Sequence, residues 1–295
     1  MPTHVPVMGA EAIAVLAPAR GGVFVDCTVG LGGHAAALLE AGAERVVGLD
    51  RDREALEVAR AALSGWGRRA ELVHADFRCL GALLGERGIA AVAGVLVDLG
   101  VSSFQLEGAG RGFSFQRDEP LDMRMDRSGG RTAADLLAEA TESELAEIIF
   151  TRGEERFARR IARAIVRARD RDPVKTTGQL ARIVRRAVPR KGHWRIDPAT
   201  RTFQALRIQV NGELDGLDRF LAEAAGRLGS GGRLVVITFH SLEDRIVKHT
   251  FRNLGLLDGS RLRVVTRRPI VPSEEEVDRN PRARSAKLRA IERIA

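Results

Sequence analysis

The stretch VDCTVGLGGH, residues 25–34, decides the fold class. Its apolar run ends at Asp26, and Gly30, Gly32 and Gly33 follow within a few residues. A buried strand, a glycine-rich turn and a helix, in this order, are typical of the first ligand-binding turn of a doubly wound α/β protein. The turn alone leaves open which ligand it binds.

Apolar runs alternate with helical patterns on both sides of this turn. Strands are predicted at residues 22–28, 45–50, 71–76, 92–100 and 231–240, and two closing strands at RLRVVTRR (261–268) and SAKLRAIERI (285–294). The first runs are rich in Val, Ile and Leu without polar alternation, which is typical of strands covered on both faces. We therefore predict an α/β fold with a parallel sheet and helices on each side.

The alternation stops between about residues 101 and 201, where only loop and helix patterns occur. Capping-box spacings at TESE (141–144) and TTGQ (176–179) predict two helix starts there, and a long helical pattern follows at 203–228. We predict a core formed by residues 1–103 and 203–295, interrupted by an inserted helical domain, 104–202, that recognises the substrate.

The composition excludes several classes of protein. The chain has 295 residues, of which 44% are hydrophobic, and no run approaches the ~20 apolar residues of a membrane span. The N-terminus has no basic region and makes a poor signal peptide. Cys27 and Cys79 are too few for a disulfide framework or a cysteine zinc site. We expect a cytoplasmic protein without a metal site.

Positive charge is concentrated in one segment. The net charge of the chain is +8, but residues 151–207 hold 17 Lys and Arg against five acids, so this segment alone carries +12. Such a segment favours binding to a polyanion. A general preference for Arg is the alternative, since the chain has only four Lys, but it does not explain the clustering.

An acid downstream of the turn narrows the choice of ligand. Asp50 ends the second predicted strand, 20 residues after Gly30, where an acid can accept hydrogen bonds from both hydroxyls of a ribose. The alternative is that Asp50 caps the following helix. A ribose ligand leaves two main cofactors open, NAD and S-adenosylmethionine.

Two further acids favour S-adenosylmethionine. Asp26 precedes the glycines, where a carboxylate disfavours a pyrophosphate but suits the ammonium group of a methionine. HADF (74–77) places Asp76 and Phe77 at the end of the third strand, where an adenine can be bonded and stacked. Alternatively, Asp76 is a helix cap and Phe77 a core ring.

Long motifs resemble one family over nearly the whole chain. They are GLGGH (30–34), VDLGVSSFQL (97–106), RGFSF (111–115), PLDMRMD (120–126), GEERFARRIARAIV (153–166), PATRTFQALRI (198–208), FHSLEDRIVK (239–248) and NPRARSAKLR (280–289). They closely resemble the bacterial ribosomal RNA small-subunit methyltransferase H family. The resemblance implies a class I (Rossmann-like) core with an inserted helical domain. It also implies methylation, from S-adenosylmethionine, of the exocyclic N4 of a cytosine in the decoding region of 16S ribosomal RNA.

The resemblance also implies cofactor residues. Carried over by motif, these are Gly32, Gly33, His34, Asp50, Phe77, Asp98 and Gln105. The chain departs from the family pattern at two positions: Asp197 replaces an expected His, and Glu119 replaces a usual Gly. Both lie outside the cofactor motifs and bear on details of RNA contact.

One residue is the best catalytic candidate. The tetrapeptide familiar from amino methyltransferases is absent, and Asp98 followed by Leu99 takes its place at the end of the fourth strand. Acceptors that bond the N4 hydrogens of a cytosine turn its lone pair towards the methyl group and stabilise the developing positive charge. Asp98 is our candidate for this acceptor; the alternative is that it contacts only the cofactor.

The loop 111–126 is the candidate wall of the cytosine pocket. Phe113 or Phe115 could stack on the base, and Asp122 or Arg124 could read its edge. The alternative is that the rings only attach the loop to the core. His240, at the end of the fifth strand, is a further candidate for substrate contact, although a lone His in such a turn is more often structural.

Four arginines are the candidate phosphate contacts. They recur on one side of a helical pattern whose other side is apolar: Arg159, Arg160, Arg163 and Arg167. The alternative is an ordinary solvated face.

Three other functions stay open at this stage. A related methyltransferase could act on DNA or on another RNA, and an RNA-binding assembly factor could retain the cofactor fold without its activity. An NAD oxidoreductase is disfavoured by Asp26 and by the absence of an obvious hydride-transfer pair.

Overall fold

The computed structural model describes residues 6–189, 196–257, 259 and 261–294. Arg190, Lys191 and Arg195 of the basic segment lie outside these residues. The chain forms two compact units: unit 1 comprises Met1–Gly100 and Gly216–Ala295, and unit 2 comprises Val101–Asp215. None of the helices in the described ranges is both long and apolar enough to cross a membrane.

Unit 1 contains a seven-stranded sheet with the order β3-β2-β1-β4-β5-β7-β6. Its strands are β1 (Val23–Asp26), β2 (Arg45–Asp50), β3 (Ala70–His74), β4 (Val92–Asp98), β5 (Leu228–Thr238), β6 (Leu262–Val264) and β7 (Lys287–Arg293). Strands β1 to β5 are parallel, whereas β7 is antiparallel to both β5 and β6. All seven predicted strands are confirmed, but the predicted parallel arrangement is wrong for β7. The strand order is that of a class I, Rossmann-like methyltransferase sheet.

Helices make up most of the rest of the described chain. They are α1 (Gly9–Leu16), α2 (Gly33–Glu40), α3 (Arg53–Ala62), α4 (Leu80–Glu86), α5 (Ser103–Glu107), α6 (Ala133–Glu139), α7 (Glu142–Gly153), α8 (Ala158–Arg169), α9 (Thr177–Ala187), α10 (Ala199–Asn211), α11 (Leu217–Gly226), α12 (Ser241–Leu256) and α13 (Glu274–Arg279).

The central strands β1, β2 and β4 are buried on both faces, as their apolar sequences predict. Alternate residues of one strand enter different cores: Leu96 of β4 packs with residues of α1, α2 and α3, whereas Val95 and Val97 pack with residues of α4, α11 and α12. Side chains alternate between the two faces of a strand, so a strand that is apolar at every position fits only a covered sheet.

The single helix predicted over 203–228 is wrong. The structure has two helices there, α10 and α11, separated by the turn 212–216. Gly212 ends α10 with a left-handed φ of 57°, and Gly216 precedes α11 with a φ of 68°. Left-handed residues stop a right-handed helix, and glycine adopts them without a steric penalty.

Unit 2 is helical and has a core of its own. The apolar stripe predicted on the helix after residue 154 is confirmed, because Ile161 and Ile165 of α8 are fully buried. Both predicted capping boxes are present, at Thr141 before α7 and at Thr176 before α9. Unit 2 extends beyond the predicted insert 104–202, since α10 contributes Phe203 and Leu206 to its core.

Candidate active site

The glycine turn lies at the carboxyl end of β1 and leads directly into α2. Gly30 and Gly32 have φ values of 51° and 91°, in the region that favours glycine. A β-carbon at Gly32 would also lie 3.2 Å from the side chain of Leu63. The positive φ values and this close approach both favour glycine in the turn.

Asp50 holds this turn through a direct contact. Its Oδ2 accepts a hydrogen bond from the Gly30 N–H at 2.8 Å, and its Oδ1 accepts one from the Asp52 N–H at 2.8 Å. Asp52 caps α3, by accepting from Glu54 and Ala55, so the alternative role of Asp50 as the helix cap is wrong. Burial raises the pKa of Asp50 to about 6, against the two backbone hydrogen bonds that favour the carboxylate.

Asp98 ends β4, the strand that pairs with β1 on the side away from β2. Its backbone N–H donates to Thr28 Oγ1 at 2.6 Å, which fixes the end of the strand against the glycine turn. Its Oδ2 lies 3.5 Å from His34 Nε2. Its Oδ1 is buried and has no hydrogen-bond partner in the described part of the chain, so it is available to accept from a ligand.

His34 is the second residue of α2 and is only 5% exposed. Neither ring nitrogen has a hydrogen-bond partner within the described ranges. Burial opposes the charged imidazolium, but the carboxylates of Asp98 and Asp26 outweigh it and raise the pKa of His34. The ring therefore gains a proton more readily than an ordinary His and offsets the negative charge of its neighbours.

Asp26, the last residue of β1, is completely buried. Its Oδ1 accepts a hydrogen bond from the Thr28 N–H at 3.2 Å, and its Oδ2 is without a partner among the described residues. Burial raises the pKa of this carboxyl to about 7, although His34 acts in the opposite direction. The predicted contact with a ligand ammonium group stays a prediction.

Asp76 and Phe77, which follow β3, have the roles given above as alternatives: Asp76 is a helix cap and Phe77 packs on another ring. Asp76 accepts from the Arg78 N–H as the cap of a short 3-10 turn and forms an ion pair with the Arg78 guanidinium at 2.7 Å. Burial raises the pKa of Asp76, but the bonds from Arg78 outweigh it, so the pKa is lowered overall. Phe77 packs on Phe220, with ring centroids 4.5 Å apart, and stays half-buried. Contact with an adenine remains a prediction.

His240 has a structural role in the described contacts. It precedes α12, where its Nδ1 accepts from the Glu243 N–H at 3.4 Å, and its Nε2 lies 3.1 Å from Glu243 Oε1. Glu243 is buried and also accepts from the Phe239 N–H. These contacts agree with the alternative that His240 is structural. Substrate contact by His240 stays a prediction.

Gln105 belongs to unit 2, where it completes the capping box of α5. Its side-chain Oε1 accepts from the Ser102 N–H at 3.0 Å, and its own N–H donates to Ser102 Oγ at 3.2 Å. It is 5% exposed. Its implied role in cofactor binding stays a prediction.

The two phenylalanines of the loop 111–126 differ in environment. Phe113 is 7% exposed and belongs to the core of unit 2, so it attaches the loop, as the alternative predicted. Phe115 is half-buried, packs edge-on against Phe203 at 4.8 Å, and lies under the guanidinium of Arg185 at 5.6 Å. Of the two rings only Phe115 keeps partial exposure, and its stacking on a base stays a prediction.

Asp122 and Arg124 bind each other. Arg124 Nε donates to Asp122 Oδ1 at 2.8 Å, and Arg124 Nη2 donates to Asp122 Oδ2 at 2.9 Å. Burial raises the pKa of Asp122, but these bonds outweigh it and lower the pKa overall. A base edge would have to compete with this bidentate pair, so direct reading by either residue remains a prediction.

The four candidate phosphate contacts lie on α8 and are all exposed, opposite its buried stripe: Arg159, Arg160, Arg163 and Arg167. Arg163 has a carboxylate neighbour, Glu142, at 3.3 Å. Exposed ion pairs of this kind contribute only about 0–1 kcal/mol to stability. Arg163 can therefore exchange Glu142 for a phosphate at little cost. The arrangement fits a phosphate-binding face, which stays a prediction.

Comparison with known proteins now identifies the family. A model of the MraW methylase family matches residues 1–294. The chain belongs to this family. Proteins named ribosomal RNA small subunit methyltransferase H are its relatives. The one from Geotalea uraniireducens is 51% identical over 308 residues, covering 99% of this chain and 98% of the relative. Those from Nitrobacter hamburgensis and Geobacter sulfurreducens are 53% and 52% identical, each over 99% of this chain and over 91% and 99% of their own length.

Membership of a methylase family agrees with the fold, and the protein is a methyltransferase. Of the predicted site residues, the structure brings Asp26, Gly30, His34, Asp50 and Asp98 together at one edge of the sheet in unit 1. The loop 111–126, Gln105 and the arginines of α8 belong to unit 2.

Sequence reasoning missed two residues that support this site. Thr28 accepts from the Asp98 N–H and donates its own N–H to Asp26, and it lies inside the opening stretch without a recognisable signal. Asp52 caps α3 and orients Asp50. An acid directly before a helical pattern is a known start signal, so Asp52 could have been found.

The two departures from the family pattern have clear local partners. Asp197 Oδ2 accepts from Arg185 Nε at 2.9 Å, and its Oδ1 accepts from the Ala199 N–H at the start of α10. Glu119 Oε1 lies 3.0 Å from Arg117 Nε. Both acids therefore serve contacts within unit 2.

Proposed function

We propose that the protein methylates small-subunit ribosomal RNA, using S-adenosylmethionine, at the exocyclic N4 of a cytosine in the decoding region of 16S RNA. The observation that carries the proposal is the set of three carboxyl side chains, Asp26, Asp50 and Asp98, that end the adjacent strands β1, β2 and β4 around the glycine turn. The names of the relatives support ribosomal RNA as the substrate, and the motif resemblance supports the cytosine and its N4.

The residues present fit S-adenosylmethionine better than a dinucleotide. A pyrophosphate would meet the carboxylates at short range, whereas the sulfonium and ammonium groups of the cofactor are positive and attracted by them. Asp98 Oδ1 is a buried acceptor with no partner in the described residues, as expected for an atom that a ligand satisfies. Asp50 stands where a ribose is bound in related folds.

The cofactor supplies an activated methyl group, and the chain supplies position and charge. Because no metal or covalent intermediate is needed for this transfer, orientation accounts for most of the rate. We assign to Asp98 the acceptance of a hydrogen bond from the N4 amino group, which turns the nitrogen lone pair outwards and stabilises its developing charge. His34 Nε2 lies 3.5 Å from the other oxygen of Asp98 and attracts that carboxylate when the ring is protonated.

The basic segment supports an RNA substrate. The exposed arginines of α8 form a positive face in unit 2, and Phe115 offers a ring for an unstacked base. We expect the reaction to occur in the cytoplasm, where ribosomal subunits are assembled.

Transfer of a labelled methyl group tests the proposal. Small ribosomal subunits and naked 16S RNA from cells that lack the endogenous enzyme are incubated with the protein, and nuclease digestion with mass spectrometry locates the label. Label on a single cytosine as N4-methylcytidine supports the proposal, and RNA with uridine at that position should then accept none. Cofactor binding without label on either substrate would refute the ribosomal assignment and point to DNA or another RNA.

A further inference from the structure

A second basic segment lies in unit 1, outside the region that carries most of the charge. Residues 245–268 contain seven Lys and Arg and a single acid. They form most of α12 and the edge strand β6. Positive charge is therefore not confined to residues 151–207, and this second cluster is not used by the site at the glycine turn.

These residues surround a cavity between α12, β6 and β7 with a volume of about 550 Å³. Its floor is apolar and includes Phe251 and the side chains of Leu262 and Val264 on β6. The volume lies within the range of about 300–1,000 Å³ typical of small-molecule sites. It is large enough for a nucleobase.

Three cations stand at the rim of this cavity: Lys248, Arg252 and Arg267. All three are exposed, and no acid lies within ion-pair distance of them in the part of the chain that the structure describes. Two other cations of the cavity are already paired. Arg289 binds Asp244 at 2.6 Å, and Arg263 binds Glu292 at 2.7 Å. The three rim cations are thus available to an anionic ligand.

Apolar surface continues to the mouth of the cavity. Leu256 at the end of α12 is 69% exposed, and Ile294 after β7 is 40% exposed. An apolar floor with unpaired cations around it matches a ligand that has a flat apolar part and adjacent negative charges. A nucleotide within a single-stranded nucleic acid has both, because its base stacks and its phosphates bind cations.

We propose that this cavity is a second RNA-binding site, which takes one base of a single-stranded segment and holds the neighbouring phosphates on Lys248, Arg252 and Arg267. The choice of RNA rests on the proposed function. A second copy of this chain is a poorer occupant, because its net charge of +8 would be repelled by the same cations.

A paired set of variants tests the site. K248Q/R252Q removes two rim charges, and R60Q/R68Q removes two exposed charges on and after α3, at the other end of the sheet. Binding to single-stranded 16S fragments and to small subunits is measured between 0.05 and 0.3 M salt, together with cofactor affinity and thermal stability. We expect K248Q/R252Q to bind RNA about ten-fold more weakly at 0.1 M salt, with a salt slope smaller by roughly 1.4.

The control variant should keep the wild-type affinity and slope, and both variants should keep the wild-type cofactor affinity. Cross-linking with RNA that contains 4-thiouridine tests the base separately, and we expect cross-linked peptides from residues 248–267. Equal RNA binding by K248Q/R252Q and wild type, with no cross-link in this segment, would overturn the proposal. So would self-association of the wild type that L256S abolishes.

Failure of this inference is distinguishable from failure of the proposed function. If the wild type transfers methyl groups to ribosomal RNA but the rim variant behaves as the wild type does, only the second site is refuted. If the wild type transfers none, the substrate assignment fails first.

Discussion

His34 Nε2 lies 3.5 Å from Asp98 Oδ2, and this contact joins the start of α2 to the end of β4. The distance is too long for a strong hydrogen bond but short enough for electrostatic attraction once the ring is protonated. One oxygen of Asp98 is thus directed towards His34, which leaves Oδ1 for a ligand.

Replacement of Asp98 by Asn tests its catalytic role. D98N keeps the shape of the side chain but removes its charge, so we expect kcat to fall by about 10²–10³ and cofactor affinity to fall by a smaller factor. The measurement is single-turnover methyl transfer together with calorimetric cofactor binding. D218N, an exposed carboxylate on α11, is the matched control. Normal cofactor binding with full activity in D98N would eliminate Asp98 as the acceptor; weaker cofactor binding at unchanged kcat would leave it a cofactor contact.

Asp26 should make stability depend on pH. Its pKa is about 7 in the folded protein, against an ordinary value of 3.8, because burial disfavours the carboxylate. Between these two values the folded state holds a proton that the unfolded state has lost, so the free energy of unfolding falls as pH rises and levels off above about 7.

The D26N variant carries no titrating group at this position. Its stability relative to wild type should therefore increase from pH 4 to pH 8, by up to about 4 kcal/mol for three pKa units. Urea unfolding of both proteins across this range measures the difference, with D218N as the exposed control. Parallel pH profiles for D26N and wild type would show that the carboxyl is not perturbed.

Variants of Asp50 and Asp52 distinguish a loss of ligand binding from a loss of helix capping. D50A removes the acceptor of the Gly30 N–H and the carboxylate expected at the ribose, so we expect cofactor affinity to fall about 10- to 100-fold. D52A removes the α3 cap and should cost about 1 kcal/mol of stability. Calorimetry and denaturation of both variants make the comparison. Equal cofactor affinity in the two variants would contradict a ribose contact by Asp50.

Phe113 and Phe115 should respond differently to truncation. F113A opens a cavity in the core of unit 2 and should reduce stability by about 3–5 kcal/mol. F115A removes a half-buried ring, so we expect a smaller stability loss but a higher KM for RNA. Thermal unfolding and methyl-transfer kinetics distinguish the two effects. An unchanged KM in F115A would remove this ring from the cytosine pocket.

Charge reversal on α8 tests the phosphate-binding face. R159E/R163E should weaken RNA binding more than ten-fold at about 0.1 M salt and flatten its salt dependence, because each phosphate contact releases counterions. R60E/R68E, at exposed positions on and after α3, is the control. RNA affinity that stays the same in R159E/R163E would mean that α8 presents only a solvated face.

Local patterns predicted most of the fold. The seven strands, the glycine turn and the capping boxes at Thr141 and Thr176 all follow from residues close together in the chain. The break after α10 was missed because the apolar pattern continues through it. The two glycines that cause the break, Gly212 and Gly216, were visible as a stop signal.

In the candidate site, contacts that follow from sequence spacing were predicted, and contacts that depend on the packing of distant segments were not. Gly30 and Asp50 were paired by a known spacing, and the structure joins them by a 2.8 Å hydrogen bond. The approach of His34 to Asp98 was not foreseen, since it depends on β4 lying next to β1 in the sheet. The burial of Phe113 likewise follows from a core that no local pattern describes.

The position of β5 has a consequence for synthesis of the protein. It pairs with β4, yet about 130 residues separate the end of β4 from the start of β5. At roughly 5–20 residues per second on the ribosome, the apolar edge of β4 stays unpaired for about 6–26 s before β5 is synthesised. An unpaired edge of this kind is prone to aggregation. The nascent chain should therefore depend on chaperones most strongly while unit 2 is being translated.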